Sequence, residues 1–504
     1  MPPHTDISPD ARRAMTLTLA CSAALSASLQ TVVVPLVPGI GRQLGVGVGA
    51  AGWVLTANLL SSAVLAPVLG RMSDLRGRRS LILLCLASVV VGSLLCLGSA
   101  SLPVLILGRV LQGASGALYT LAVSLVREEL PAHRVPGATS LIAGALGLGA
   151  SLGVVMAGLL SGTGGDYRLV FAVHCVLAAA LLATAVRTLP RAVRTGSGGR
   201  VDWWGATLLA GFLVAWLTVL SQGRVWGWSS PAVLAATGGG AVLCLVFVMV
   251  ELRTPEPLVD LRALHGRSVL LINGLALLSG ALIIVGRLPV SQFVQTPPSL
   301  AGYGFGASVL SASLVFMVPG LVAAMGGSVL DSRLVKRYGG CSAVVVGGGA
   351  GCAGYVGLAL LHDAAWQLMV FGAVVAGAVS VGASALPVLL ARHVPAEDFG
   401  AANGINALSR WIGSAAASAA VAALLTAPEG RSYPQSSSYV QVFLLGAALS
   451  AAVVVIGGFT GKAVTSGRDA VRAADRTAGV MRASWGSRVG RSPRGRRSGR
   501  AAGW

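Results

Sequence analysis

Fourteen runs of mostly apolar residues follow one another along this chain, separated by charged or Pro/Gly-rich breaks. They cover approximately 14–38, 51–70, 80–99, 103–126, 138–161, 169–189, 203–221, 231–250, 268–290, 307–330, 341–361, 366–390, 402–426 and 440–460. A helix that crosses a bilayer needs about 20 predominantly apolar residues. The pattern therefore predicts an all-α polytopic membrane protein with fourteen spans.

Composition supports this reading and narrows where function can lie. Of 504 residues, 55% are hydrophobic and only 11% charged, too apolar for soluble domains. The polar stretches at 1–13 and 462–504 are too short to fold alone, so function is expected inside the membrane part. Arg12 and Arg13 precede an apolar run too long for a signal-peptide core, so the first helix is expected to stay in the protein. The seven cysteines fall in apolar runs without C-x-x-C spacing, and read as small core residues, with no metal site expected.

The net charge of +20 would suggest nucleic acid in a soluble protein, until the charges are placed. With the N-terminus inside, the inner loops and tails hold thirty basic residues and the outer loops five, Arg42, Arg168, Arg224, Arg287 and Arg431. Basic residues near span ends stay cytoplasmic, so both termini are expected there. Trp203, Trp204, Trp226 and Trp228 fit the headgroup level at the ends of span 7. The Arg/Gly/Ser tail from Lys462 is expected to touch anionic lipid rather than nucleic acid. Gly149, Gly153 and Gly158 repeat at the close spacing that lets membrane helices pack.

Two stretches carry chemistry. Between spans 2 and 3 the chain reads Gly70-Arg71-Met72-Ser73-Asp74-Leu75-Arg76-Gly77-Arg78-Arg79, a tight loop with one acid amid four arginines. Asp74 can accept from a neighbouring helix N-terminus or pair with Arg78, locking one arrangement of two rocking halves. In span 4, Arg109-Val110-Leu111-Gln112-Gly113 puts an arginine inside an apolar helix, at an insertion cost of about 2.5 to 3.5 kcal/mol unless it meets a partner or cavity.

The first stretch resembles the G-x-x-x-D-x-x-G-R-R signature of the major facilitator superfamily, and the second is similar to that family's span-4 motif, whose arginine is implicated in proton coupling. Val201-Asp202-Trp203-Trp204-Gly205, Trp226-Gly227-Trp228 and Pro257-Leu258-Val259-Asp260-Leu261 resemble the linker and extra helix pair of its fourteen-span drug:proton antiporter branch. Arg333 to Gly339 faintly echoes the first loop eight spans later, with Lys336 where the acid would stand.

Two features depart from that branch. Val154 occupies the position of the span-5 proline, and Leu29 that of the span-1 acid. The acids lie in loops, at span ends or in the tails, leaving Glu128, Glu129, Asp166 and His174 as the nearest proton candidates. Glu128 and Glu129 also read as partners of the first-loop arginines, and His174 as a packing residue. Arg410, beside Asn403, Asn406 and Trp411, either faces an anionic group of a substrate or binds helix ends.

The resemblance implies a major facilitator fold in a 6+2+6 plan: tail 1–13, six-helix bundle 14–190, linker and inserted helices 191–267, six-helix bundle 268–461 and tail 462–504. It implies a proton-coupled exporter of drugs or a secondary metabolite in the bacterial cytoplasmic membrane, working by alternating access as a monomer without cofactor. An uptake or proton-independent facilitator stays open, and so does a membrane-embedded transferase, although no catalytic cluster is visible. Gly70, Asp74, Gly77, Arg78, Arg79 and Glu128 are the expected gate, and Arg109, Gln112 and Gly113 the coupling group. Spans 1, 4, 9 and 12 are expected to line the cavity by analogy, nominating Gln30, Tyr119, Ser279, Gln292, Phe293 and Ser384, with Arg410 beside them.

Overall fold

A computed structural model of the chain describes residues 9–131, 133–161, 166–190, 201–255, 257–264, 266–394, 399–427, 431 and 433–460. The 462–504 tail, and the linker at 191–200, fall outside them. Among the described residues there is no strand, and fourteen helices are long and apolar enough to cross a membrane. They are span 1 Asp10–Leu44, span 2 Gly49–Ser73, span 3 Arg78–Leu97, span 4 Leu102–Glu129, span 5 Gly137–Ser161, span 6 Tyr167–Thr188 and span 7 Trp203–Gly223. Span 8 is Pro231–Arg253, span 9 Arg267–Gln295, span 10 Val309–Gly327, span 11 Gly340–Leu360, span 12 Ala365–Ala391, span 13 Ala402–Leu424 and span 14 Ser436–Thr460.

Two spans run further than their apolar pattern suggests, and prolines explain both. Span 1 passes Pro35 and Pro38 because Val34–Leu36 tightens into a 3₁₀ turn and Val37–Leu44 restarts the helix, so each proline sits in a first turn where no amide donor is needed. It stops at Gly45, whose φ of +64° only glycine adopts freely. Span 9 continues through Pro289 to Gln295, with Leu288 to Gln295 buried among neighbours that hold the helix together. Arg287 therefore lies inside span 9, which corrects its reading as an outer-loop residue.

Helix pairings recur with an offset of eight spans. Span 1 packs on span 5 so closely that a Cβ on Gly149 would stand 2.1 Å from the Ala24 carbonyl. Span 9 meets span 13 the same way, where a Cβ on Gly413 would stand 1.9 Å from the Leu277 carbonyl. Backbone contact of this kind drives helix association in lipid, where apolar side chains have no water to escape. Spans 1 to 6 thus form one bundle and spans 9 to 14 a second. Spans 7 and 8 pack on each other through Phe212, Trp216 and Phe247, and span 7 also lies against spans 2 and 13.

Because the spans alternate in direction, Arg71, Arg78, Arg79, Arg127, Arg187, Arg253, Arg337 and Arg392 gather at one end of the bundle. The molecule thus has an arginine-rich end and an opposite end.

Candidate functional site

At the arginine-rich end, Gly77 joins spans 2 and 3 with a φ of +89°, and its amide closes the end of span 2 on Ser73. This sharp reversal projects the next two arginines in different directions. Arg78 forms an ion pair with Glu128 at the end of span 4, and the Arg79 guanidinium donates to the Val186 carbonyl of span 6 (2.7 Å). Gly70 has open space around its Cα. Asp74 sits in the last turns of the span-2 helix, and its side chain falls outside the described atoms. The short loop thereby ties spans 2 and 3 to spans 4 and 6 of the same bundle.

Arg109 is wholly buried and faces neighbouring helices. Its Nε donates to the Val54 carbonyl of span 2 (3.0 Å) and its Nη1 to Gln112 Oε1 (2.7 Å). Gln112 Nε2 in turn donates to Ser93 Oγ of span 3 (2.9 Å). Asn58, Ser61 and Ser62 of span 2 donate to the carbonyls of Arg109, Val110 and Gly113. At this contact span 4 tightens into a 3₁₀ segment over Gly113–Ala117. A Cβ on Gly113 would meet Ser61 Oγ at 2.4 Å, so glycine is what lets spans 2 and 4 approach. The span-4 motif is a knot of three helices, in which Arg109 Nη2 and Asn58 Oδ1 make no hydrogen bond among the described residues.

His174 lies beside this knot in span 6, fully buried. Its Nδ1 donates to the Val170 carbonyl (2.9 Å), which leaves Nε2 to accept from Ser28 Oγ of span 1 (3.0 Å). Both ring nitrogens are thereby used in packing spans 1 and 6. Asp166 caps span 6 by accepting from the Arg168 amide (3.0 Å).

The nominated cavity residues do not form one group. The Tyr119 ring of span 4 and the Arg410 guanidinium of span 13 lie within electrostatic reach across the two bundles, both half-buried. Asn406 lies one turn before Arg410, with a buried side-chain nitrogen that has no partner among the described residues. Gln30 of span 1 is half-buried and reaches Ser26 Oγ at 3.5 Å. Ser384 and Ser279 donate to carbonyls of their own helices, those of Ser380 and Ala276. Gln292 is buried, with Oε1 unpartnered among the described residues.

Phe293 belongs to the opposite end. Its ring is surrounded by Tyr303, Phe305, His362 and Tyr439, with centroids 5.2 to 6.1 Å away. Phe293, Tyr303, Phe305 and His362 line a cavity of about 920 Å³ that is also walled by Asp363, Arg431 and Tyr433. Burial pushes the Tyr303 phenol above its usual range, so it stays a neutral donor to the Pro434 carbonyl (2.7 Å). Arg287, expected in an outer loop, instead lines a smaller cavity between spans 9, 10 and 12 beside Phe316 and Ser380. The signal for it was an arginine two residues before a proline in a long apolar run.

Contacts between the bundles gather at that opposite end. Gln295 Nε2 of span 9 donates to the Pro35 carbonyl of span 1 (2.9 Å). Val32 to Ile40 of span 1 share one buried cluster with Ile284, Leu288 and Val294 of span 9. Gly158 of span 5 brings that helix against Leu310 and Ser313 of span 10, while Gly149 and Gly153 seat it on span 1. Spans 2 and 13 meet through Thr56 and Ser418 (2.8 Å).

Comparison with known proteins places this architecture. The chain matches the Major Facilitator Superfamily pattern over residues 19–301. It is 30% identical over 365 residues to the puromycin resistance protein of Streptomyces alboniger, covering 70% of this chain and 68% of that one. It is 29% identical over 340 residues to an uncharacterized MFS-type transporter of Mycobacterium tuberculosis, covering 66% of this chain, and 28% identical over 333 residues to a probable actinorhodin transporter of Streptomyces coelicolor, covering 63%. The chain spans about half the length of these last two relatives, 48% and 56%. Among solved structures, the nucleoside transporter NupG shares the fold with a TM-score of 0.63 at 13% identity, covering 88% of this chain and 99% of that one. Fourteen spans in two bundles related by an eight-span offset, and a sequence match over more than half its length, make this multi-pass membrane chain a member of the major facilitator superfamily.

Proposed function

We propose that the chain is a secondary exporter of an amphipathic drug or secondary metabolite, alternating between bundles 14–190 and 268–461 about the inserted pair within 191–267. The arginine-rich end, with both termini, faces the cytoplasm by the distribution of basic residues. The observation that carries this reading is the Tyr119 and Arg410 pair: polar groups on facing bundles, behind an end where spans 1, 5, 9 and 10 close together. Alternating access needs such a site between two bundles and a closure that can move to the other end. The substrate class rests on the relatives named for puromycin resistance and actinorhodin transport. Asp74, Arg78, Arg79 and Glu128 serve as the cytoplasmic gate, Arg109, Gln112 and Gly113 as the group that sets the position of span 4, and Gln30, Tyr119, Asn406 and Arg410 as substrate contacts.

A second reading is a proton-independent facilitator. Arg109 favours it, because its hydrogen bonds go to a carbonyl and an amide rather than to a carboxylate. Dye and antibiotic accumulation in a drug-sensitive host, with and without a proton uncoupler, separates the two. The exporter lowers accumulation, the uncoupler restores it, and Arg410→Ala and Asp74→Asn weaken export. Accumulation unchanged for every compound sinks the export reading, and export that survives the uncoupler selects the facilitator.

A further inference from the structure

The two inserted spans carry an unusual pair of acids at the arginine-rich end. Asp202 caps span 7, where its Oδ1 accepts from the Gly205 amide (2.8 Å). Glu251, near the end of span 8, is only 1% exposed, and its Oε2 accepts from the Val259 amide (3.2 Å). The second oxygen of each carboxyl, Asp202 Oδ2 and Glu251 Oε1, is buried and has no hydrogen-bond partner among the described residues. Both point to one place: a Cβ on Gly205 would stand 2.7 Å from the first and 2.6 Å from the second. Gly205 leaves the space in which the two oxygens face each other.

Two ionised carboxylates in such a site repel, and the two oxygens that lie beside Gly205 are both buried from water. The charged groups acting on Glu251 are Asp202 and Asp260, both acids. Of the nearby arginines, Arg262 is exposed and donates to the Leu252 carbonyl (2.8 Å), and Arg253 is exposed. Something electropositive belongs between the two free oxygens. Calcium takes 6 to 8 oxygen ligands and magnesium an octahedral set, whereas a proton needs two.

We propose that Asp202 and Glu251 hold one proton between them, a carboxyl–carboxylate pair that clips the loop after span 8 onto the inserted helices. The clip is Glu251 itself, which joins Asp202 of span 7 to Val259 of the loop. The same loop continues into the turn Leu261–Leu264, which touches span 13. The pair thus links the inserted helices to a span that carries Arg410 at the junction of the two bundles. When pH rises, the O–H bond breaks, the proton leaves to water and two carboxylates remain. The clip is held at acidic pH and let go as pH rises.

The test uses the full-length protein in lipid nanodiscs and needs no transport substrate. Infrared spectroscopy of the wild type shows a protonated-carboxyl band that fades as pH is raised, and Glu251→Gln or Asp202→Asn removes it. In parallel, maleimide labelling of Val259→Cys, divided by that of the exposed Ser229→Cys, rises about tenfold from mildly acidic to mildly alkaline pH. Adding Glu251→Gln keeps the ratio low and flat, because an amide holds Asp202 and Val259 without a proton. A wild-type band that persists in both amide variants, or a labelling ratio that ignores pH, overturns the proposal. So does labelling that falls on addition of Na⁺ or Mg²⁺ with no carboxyl band at any pH, which assigns the site to a metal ion.

Discussion

Arg109 and Arg410 bear the same charge inside the membrane part of this molecule, one in each bundle, and their surroundings differ. Arg109 is fully buried among spans 2, 3 and 4, with Nε and Nη1 donating to Val54 and Gln112. Arg410 is half-buried between the bundles, near Tyr119 and near Asn406, whose side-chain nitrogen has no partner among the described residues. An intramembrane charge is by default a functional candidate, yet these two point to different jobs. A guanidinium held by a backbone carbonyl and a side-chain amide within one bundle sets helix positions, and one lying between two bundles is placed to meet a ligand.

The largest effect is expected from Arg109→Ala. It strands Gln112 Oε1 in a dry interior, at about 1–3 kcal/mol for a buried group left unpaired, and removes the bond from span 4 to the Val54 carbonyl of span 2. Thermal unfolding in detergent should shift downward by several degrees, with the yield of folded protein reduced. Arg410→Ala comes next and acts on a different readout: export falls about tenfold or more while the unfolding temperature stays near that of the wild type. If Arg410→Ala lowers the unfolding temperature as much as Arg109→Ala does, the contrast between the two arginines collapses. The smallest effect belongs to the Arg78 and Glu128 pair, which is partly exposed and contributes about 0–1 kcal/mol. Arg78→Glu should slow transport without changing stability, and adding Glu128→Arg should recover part of the rate; no recovery removes the pair from the gate.

The fourteen spans were legible because a bilayer demands one property, apolar length, that any window of the sequence displays. The signature loop was legible for a similar reason, since Gly70, Asp74, Gly77 and the arginines sit in ten consecutive residues. What the sequence hid depends on partners far away along the chain. Glu251 reads as an ordinary acid at a span end, and becomes buried only when Val259 folds back over it and Asp202 arrives from span 7. Arg287, counted with the outer loops from its place near the end of an apolar run, lies inside because the helix continues through Pro289 to Gln295 with its last residues buried. The cavity residues scattered for a further reason. A serine in a membrane helix satisfies itself on its own backbone as readily as on a ligand, and Ser279 and Ser384 both do.

The closure between spans 1 and 9 has one more consequence. Among the described residues it is built from valine, leucine and isoleucine faces with an amide bridge from Gln295 to Pro35, whereas the arginine-rich end holds ions. Parting the first exposes apolar surface to water, a process that cooling makes easier and salt in the Hofmeister-stabilising class makes harder. Disturbing the second responds to ionic strength through screening instead. The two ends of the molecule therefore answer to different features of the surrounding medium, and temperature and electrolyte should shift its resting conformation along separate axes.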